Sequence, residues 1–125
     1  MEIIAREKAL VRLANKASTD LSGKEGFIAE YDSGLKLSGG TNALGVITEG
    51  GKTESDVAIL GTFDGVLRGK AAGTIAVGNK LKVDSNGKLA AYTSGAGTVV
   101  GVALQAGAAD ELVEFAPMAP EVRAA

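Results

Sequence analysis

"ALGVITEGGKTESDVAIL" (Ala43–Leu60) and "VVGVALQAGAADELVEF" (Val99–Phe115) follow one pattern. Each opens on an apolar run built around Gly-Val (Gly45-Val46 and Gly101-Val102). Each then passes through a turn of glycine and small or polar residues, Gly51 matching Gly107, and closes on a second short run, "SDVAIL" or "DELVEF". Short runs rich in Val, Ile, Leu and Phe, bounded by turn residues, predict β-strands rather than helices.

The correspondence extends outward. Displaced by 52 residues, Gly26 falls on Gly78, Asp32 on Asp84 and Ser33 on Ser85; one inserted residue later, Gly34-Leu35 falls loosely on Gly87-Lys88-Leu89. "YDSGLKL" and "VDSNGKL" are both hairpin sequences, because Asp-Ser-Gly and Ser-Asn-Gly supply the positive φ that tight loops need. Further strands are expected in "GFIAEYD" (Gly26–Asp32), "NKLKVD" (Asn79–Asp84) and "GKLAAYT" (Gly87–Thr93). Between Gly26 and Phe115 no segment has a useful helix-period apolar face. The fold expected is all-β: a small barrel- or sandwich-like domain of short strands, built from two related β units (about 26–61 and 78–116), with extended N- and C-terminal segments. Residues 19–116 form the domain in this reading. Residues 1–18 read as an N-terminal arm or a short amphipathic helix, and 117–125, with Pro117 and Pro120, as an extended tail leaving the domain.

The repeat decides how Gly51-Lys52-Thr53 is read. Gly-Lys-Thr ends the phosphate-binding loop of nucleotide hydrolases, but that loop needs glycine five residues before the Gly-Lys, where this chain has Val46. It also needs a helix to follow, and here a strand is expected. The counterpart in the second unit, "QAGAADEL", has no lysine, so both are turns between strands. "SGAGTVVG" spaces Gly95, Gly97 and Gly101 one residue too long for a dinucleotide fingerprint. "DSNGK" opens like a calcium loop but lacks the closing glutamate, since Gly95 stands at that place. Asp64 is assigned to a turn as well.

Composition excludes other chemistry. The chain has no histidine and no cysteine, which removes the usual base near neutral pH, thiolate metal sites, cysteine nucleophiles and disulfides. No pair of carboxylates forms a recognisable constellation. No catalytic, cofactor-binding or metal-ligating residue and no small-molecule substrate is expected. The net charge of −2, without a basic run interleaved with aromatics, argues against nucleic acid. No apolar run is long enough to span a membrane, and the start lacks the order of a secretory signal. Five aromatic residues and many Gly and Ala give a light core, which favours a homo-oligomer.

Four stretches taken in order resemble the capsid cement or head decoration proteins of tailed bacteriophages: "TDLSGKEGFIAEYDSGLKL", "ALGVITEG", "VLRGKAAGTIAVGNKLKVDSNGKLAAY" and "VVGVALQAGAADELVEF". The likeness runs from about Thr19 to Phe115. It implies a small all-β protein, often trimeric, on the outside of an icosahedral head. There it would bridge subunits of the major capsid protein and stabilise the lattice. Such a protein would be made in the host bacterial cytoplasm. The chain departs from the family in its charged start and in the length of its tail.

Terminal segments are where partner-specific contacts are expected. The interface residues read from the sequence are Ile3, Ile4, Leu10, Val11 and Leu13, then Pro117, Met118 and Pro120. The competing readings are a structural β module of a phage tail or fibre, or another non-enzymatic adhesion module. An enzyme and a small RNA-binding barrel lack their required residues.

Overall fold

A computed structural model describes residues 13–60 and 65–124. They form ten strands and, among the described residues, no helix: β1 (Leu13–Lys16), β2 (Ile28–Tyr31), β3 (Leu35–Leu37), β4 (Gly45–Glu49), β5 (Glu54–Ile59), β6 (Leu67–Lys70), β7 (Lys80–Val83), β8 (Leu89–Tyr92), β9 (Gly97–Ala103) and β10 (Leu112–Arg123). The all-β class built from two related units is what the alternation and turns predict. Each unit is a five-stranded antiparallel sheet, ordered β1-β5-β4-β2-β3 and β6-β10-β9-β7-β8. Replacing each strand of the first sheet by the one five places later generates the second.

The details repeat too. Ala17 makes a parallel bridge to Leu35, and Ala71 makes the same bridge to Leu89. Ser18 N donates to Leu35 O at 2.9 Å, as Ala72 N does to Leu89 O at 2.7 Å. Equivalent core positions hold different side chains of compensating size. Ile47 lies opposite Val57 in the first unit, where the second sets Ala103 opposite Phe115. A small residue beside a large one fills the space that two medium residues fill, the kind of exchange a core tolerates. Phe115 is fully buried, and Gly69 and Gly101 make room for its ring.

The first sheet is buried on both faces, so alternate residues belong to different cores. Ala29, Ile47 and Val57 pack with Leu21, Phe27 and Leu35 in that unit's own small core. Ile28, Val46 and Ala58 turn the other way into the large core shared with Leu81, Leu89, Val113 and Phe115. Backbone hydrogen bonds tie the seam: Ile28 N donates to Gly87 O at 2.7 Å and Lys70 N to Gly26 O at 2.8 Å. Gly26 has a φ of 90°, and a Cβ there would strike the Leu112 side chain. The Lys88 ammonium of the second unit lies 5.8 Å from the centre of the Phe27 ring of the first.

Two boundaries differ from those read in the sequence. β1 begins at Leu13 and pairs with β5, so the first sheet takes in residues assigned to the N-terminal arm. At the other end the chain continues as β10 to Arg123 instead of leaving as a tail. The prolines permit this because of where they fall. Leu104 N donates to Glu114 O at 2.9 Å, which turns residues 114 and 116 towards β9. Pro117 therefore turns its nitrogen to the opposite edge, past the point where pairing with β6 ends at Phe115 and Leu67. Its missing N–H costs no ladder bond. Between Pro117 and Glu121 the register shifts, and Met118 to Pro120 bulge out before pairing with β9 resumes at Val99. Strands β1 and β6 are not legible as strands in the sequence. "LANK" and "LRGK" are short, charged and without alternation, and pairing to β5 and β10 extends them.

Two local devices carry direct tests. A Cβ at Gly45 would run into the Ala58 carbonyl and the Val57 side chain, and one at Gly101 into the Ala116 carbonyl and the Phe115 ring. Backbone cannot yield as a flexible side chain can, so Gly45→Ala and Gly101→Ala are each expected to cost about 1–3 kcal/mol by overpacking. Gly73→Ala, where nothing lies within 4 Å, is the control and should be neutral or slightly stabilising. Thermal unfolding reads the three. At the β7–β8 turn one Asp84 oxygen accepts from Asn86 N and Lys88 N, both at 2.8 Å. Asp84→Ala leaves both donors without that acceptor and should cost about 1–2 kcal/mol in chemical denaturation, since such turn bonds contribute roughly 1 kcal/mol each.

Candidate interaction surface

The turns that mimic catalytic motifs hold no ligand geometry. Gly51-Lys52-Thr53 connects β4 to β5, with Gly51 N donating to Ser55 Oγ at 3.1 Å and Gly50 N to Glu25 Oε2 at 2.9 Å. Amides that would have to face a phosphate are thus taken by neighbouring side chains. Among the described residues, no three His, Cys, Asp or Glu side chains are grouped so as to hold a metal.

The perturbed ionisable groups belong to surface contacts. Asp20 is held below the usual carboxylate range, chiefly by the Ser22 backbone N–H and further by the Ser22 hydroxyl. The Lys88 ammonium, 2.7 Å away, lowers Asp110 by its hydrogen bond and charge. Glu121 raises Arg123 by accepting its Nε hydrogen bond at 2.6 Å. Each arrangement fixes a charge in place rather than bringing a group into the range where it exchanges protons near neutral pH.

What stands out is apolar exposure. Tyr31, Val66, Val77, Leu104, Leu112 and Val122 are the exposed large apolar residues described. Tyr31, ending β2, and Val122, beyond the bulge in β10, are 55% and 68% exposed. With Pro120, Glu30 and the segment Thr41 to Leu44 they line an open cavity of about 290 Å³ on the seam. Val122 also borders a second groove of about 500 Å³, whose walls include Gly40, Lys82, Asp84, Thr98 and Arg123. Thr98 Oγ1 donates to Thr41 O at 2.6 Å between the two openings and locks the loop of one unit to the sheet of the other. The Arg123 guanidinium lies 5.4 Å from the centre of the Tyr92 ring, which fixes the end of β10. An apolar patch of Tyr31, Pro120 and Val122 results, bordered by Glu30, Lys82 and the Arg123–Glu121 ion pair, and it spans both units.

The residues singled out in the sequence are distributed unevenly over this surface. Pro120 is exposed and lies within the patch. Pro117 and Met118 are half-buried, Pro117 opposite Gly101 and Met118 in the bulge. Leu13 opens β1 opposite Val57. Ile3, Ile4, Leu10 and Val11 lie outside the described residues, as does Asp64. Tyr31 and Val122 are missing from the sequence reading. The signal for Tyr31 is its match to Val83: that position is buried in the second unit and exposed in the first, yet the first carries the larger, aromatic side chain.

A family model described as phage cement protein matches residues 4–116. Among solved structures, the N base of the head fiber gp8.5 of bacteriophage phi29 is similar, with a TM-score of 0.66 over 86% of this chain and 92% of that chain. The two share 15% of their residues, so the likeness is one of fold. No curated protein matches the sequence.

Proposed function

The chain belongs to the phage cement protein family, a structural, non-enzymatic component of the virion, and from that membership we propose that it binds the outer surface of the assembled head and bridges subunits of the major capsid protein. It acts there as a homo-oligomer, a trimer by preference, after synthesis in the cytoplasm of the host bacterium. The family match over residues 4–116 carries this reading. The patch of Tyr31, Pro120 and Val122 supplies the contact, because an exposed aromatic ring flanked by apolar residues, with charge kept to the border, is the composition of an interface centre.

The mechanism is linkage. A protein that binds the lattice but not free subunits stabilises the lattice by RT ln(1 + [L]/Kd), about 2.7 kcal/mol at a concentration of 100 Kd. An oligomer engaging several capsid subunits at once gains avidity, by a factor on the order of 10²–10⁴ where its span matches the lattice. Rigidity serves both effects, since a patch built on two units locked at their seam loses little entropy when it docks. The fold likeness to the base of a head fiber favours one second reading, a module that anchors a fibre rather than one that only reinforces the shell.

Co-sedimentation with heads of the phage that encodes the protein tests the proposal. Saturable binding in fixed ratio to the major capsid protein is expected, and binding to tails but not heads would transfer the protein to the tail. Tyr31→Ala and Val122→Asp should each weaken head binding at least tenfold while unfolding remains that of the parent chain. Removal of residues 1–12, upstream of β1, should weaken binding as well if the N-terminal set (Ile3, Ile4, Leu10, Val11) touches the shell. Full binding by that truncation would confine the contact to the patch.

A further inference from the structure

The two units make the same tip and give it opposite chemistry. Each tip consists of the turn entering β2 or β7 and the turn leaving β4 or β9. Leu21 N donates to Gly51 O at 2.9 Å, as Ile75 N does to Gly107 O at 2.9 Å. Gly26 N donates to Ile47 O at 2.9 Å, as Gly78 N does to Ala103 O at 2.8 Å. These bonds set Glu25 equivalent to Val77 and Thr48 equivalent to Leu104.

The first tip carries Asp20, Lys24, Glu25, Glu49 and Lys52. From Ala71 to Asn79 and from Leu104 to Ala109 the second carries no charge; its two acids, Asp110 (the counterpart of Lys52) and Glu111, stand at its margin, where Asp110 accepts from Lys88 Nζ and Glu111 from Ala108 N, both at 2.7 Å. In its centre Val77 and Leu104 are 65% and 47% exposed. The fold does not require them, because Glu25 and Thr48 occupy the same backbone in the first unit. That tip is also partly covered. Leu112 packs against Gly26, and with Leu67 and Arg68 it lines a groove beside Glu25 and Thr48. At Gly78, the counterpart of Gly26, an added Cβ would meet nothing within 4 Å.

We propose that the second tip is the surface through which copies of this chain associate, with Val77 and Leu104 meeting the same residues of neighbouring copies around a symmetry axis. Charge identifies the occupant. Near such an axis every charged group faces its own copy with the same sign, which is repulsive. A surface meeting a different protein can carry charge, provided the partner carries the opposite. A tip whose centre lacks charge where the equivalent tip has Glu25, and whose two marginal acids are already held by Lys88 and by the Ala108 N–H, fits the self-contact. The inference rests on the homo-oligomeric part of the reading above and adds the surface that builds it.

The test replaces the second tip's residues by those the first tip carries in the same conformation, V77E with L104T. Sedimentation velocity over a range of concentrations compares this variant with the parent and with T48D, which alters the first tip. The parent and T48D should sediment as one oligomer and V77E/L104T as a monomer with an unchanged circular dichroism spectrum. If V77E/L104T fails to fold, A106K places a charge on the same exposed tip and should dissociate the oligomer likewise. A parent chain that is monomeric throughout, or an oligomer unaffected by either variant, would overturn the proposal. Head co-sedimentation separates the two readings. An oligomer that dissociates as expected yet never binds heads sustains the self-contact and ends the cement reading. A monomeric parent whose tip variant loses head binding assigns the tip to the shell and ends the self-contact.

Discussion

The fold depends on two close passages of backbone past backbone. At Gly45 strand β4 runs so near β5 that the Ala58 carbonyl occupies the space of a side chain, and at Gly101 strand β9 stands in the same relation to Ala116 of β10. Because glycine alone permits that approach, the central strands of each sheet can come together over a core of modest side chains. Ala17, Leu21, Ala29 and Leu35 would leave voids in a wider sheet, and voids forfeit both burial and dispersion. The chain thus manages with few aromatic residues by bringing its backbone closer. The second unit uses the same passage differently, concentrating volume in Phe115 and emptying Ala103, Gly69 and Gly101 around it.

From this spacing follows the way the units join. They do not face one another symmetrically. The start of β2 in the first unit, with Gly26 and Ile28, receives Lys70, Gly87 and Leu112 of the second. The corresponding place in the second unit has Gly78 and Lys80, and Lys80 is exposed where Ile28 is fully buried. A head-to-tail joint of this kind leaves two unlike ends, and it lets the long strand β10 run past the end of β6, still paired with β9, to border the loop Thr41 to Leu44. Its open edge would invite another strand to pair, but Pro117 presents no N–H there, and Pro120 offers none in the bulge. Exposure of the end of β10 is therefore compatible with a chain that does not aggregate through it.

Much of this was legible in the sequence, and the unread parts have physical reasons. Gly-Val at 45–46 and 101–102 marks two matching strands of a repeat, while the close approach that the glycine serves shows only once β5 and β10 lie alongside. Asp-Ser-Gly and Asp-Ser-Asn-Gly marked the two hairpins because few residues accept positive φ; Ser33, at a φ of 61°, and Gly87, at 81°, do so. Strands β1 and β6 escaped notice because they are held by what they pair with, and a strand of four residues with charges has no period of its own. β10 was cut short at Phe115 because proline ordinarily ends a strand. Only the phase of its hydrogen bonds shows that Pro117 falls on the unpaired side. The candidate patch was legible at Pro120 alone, since Tyr31 and Val122 are ordinary strand residues until the seam brings them together.

A duplicated unit also supplies its own reference. Where the copies agree, as at Gly45 and Gly101, Leu35 and Leu89, or Ala17 and Ala71, the residue answers to the fold, because the same backbone demands it twice. Where they disagree on the surface, the fold cannot be the reason, since one copy already shows that another residue suffices. Tyr31 against the buried Val83, and Val77 and Leu104 against Glu25 and Thr48, are such disagreements. They fall on the seam and on one tip, the places from which a rigid structural protein can reach other molecules. The shared pattern accounts for how the chain folds, and the departures from it mark where the folded chain is directed outward.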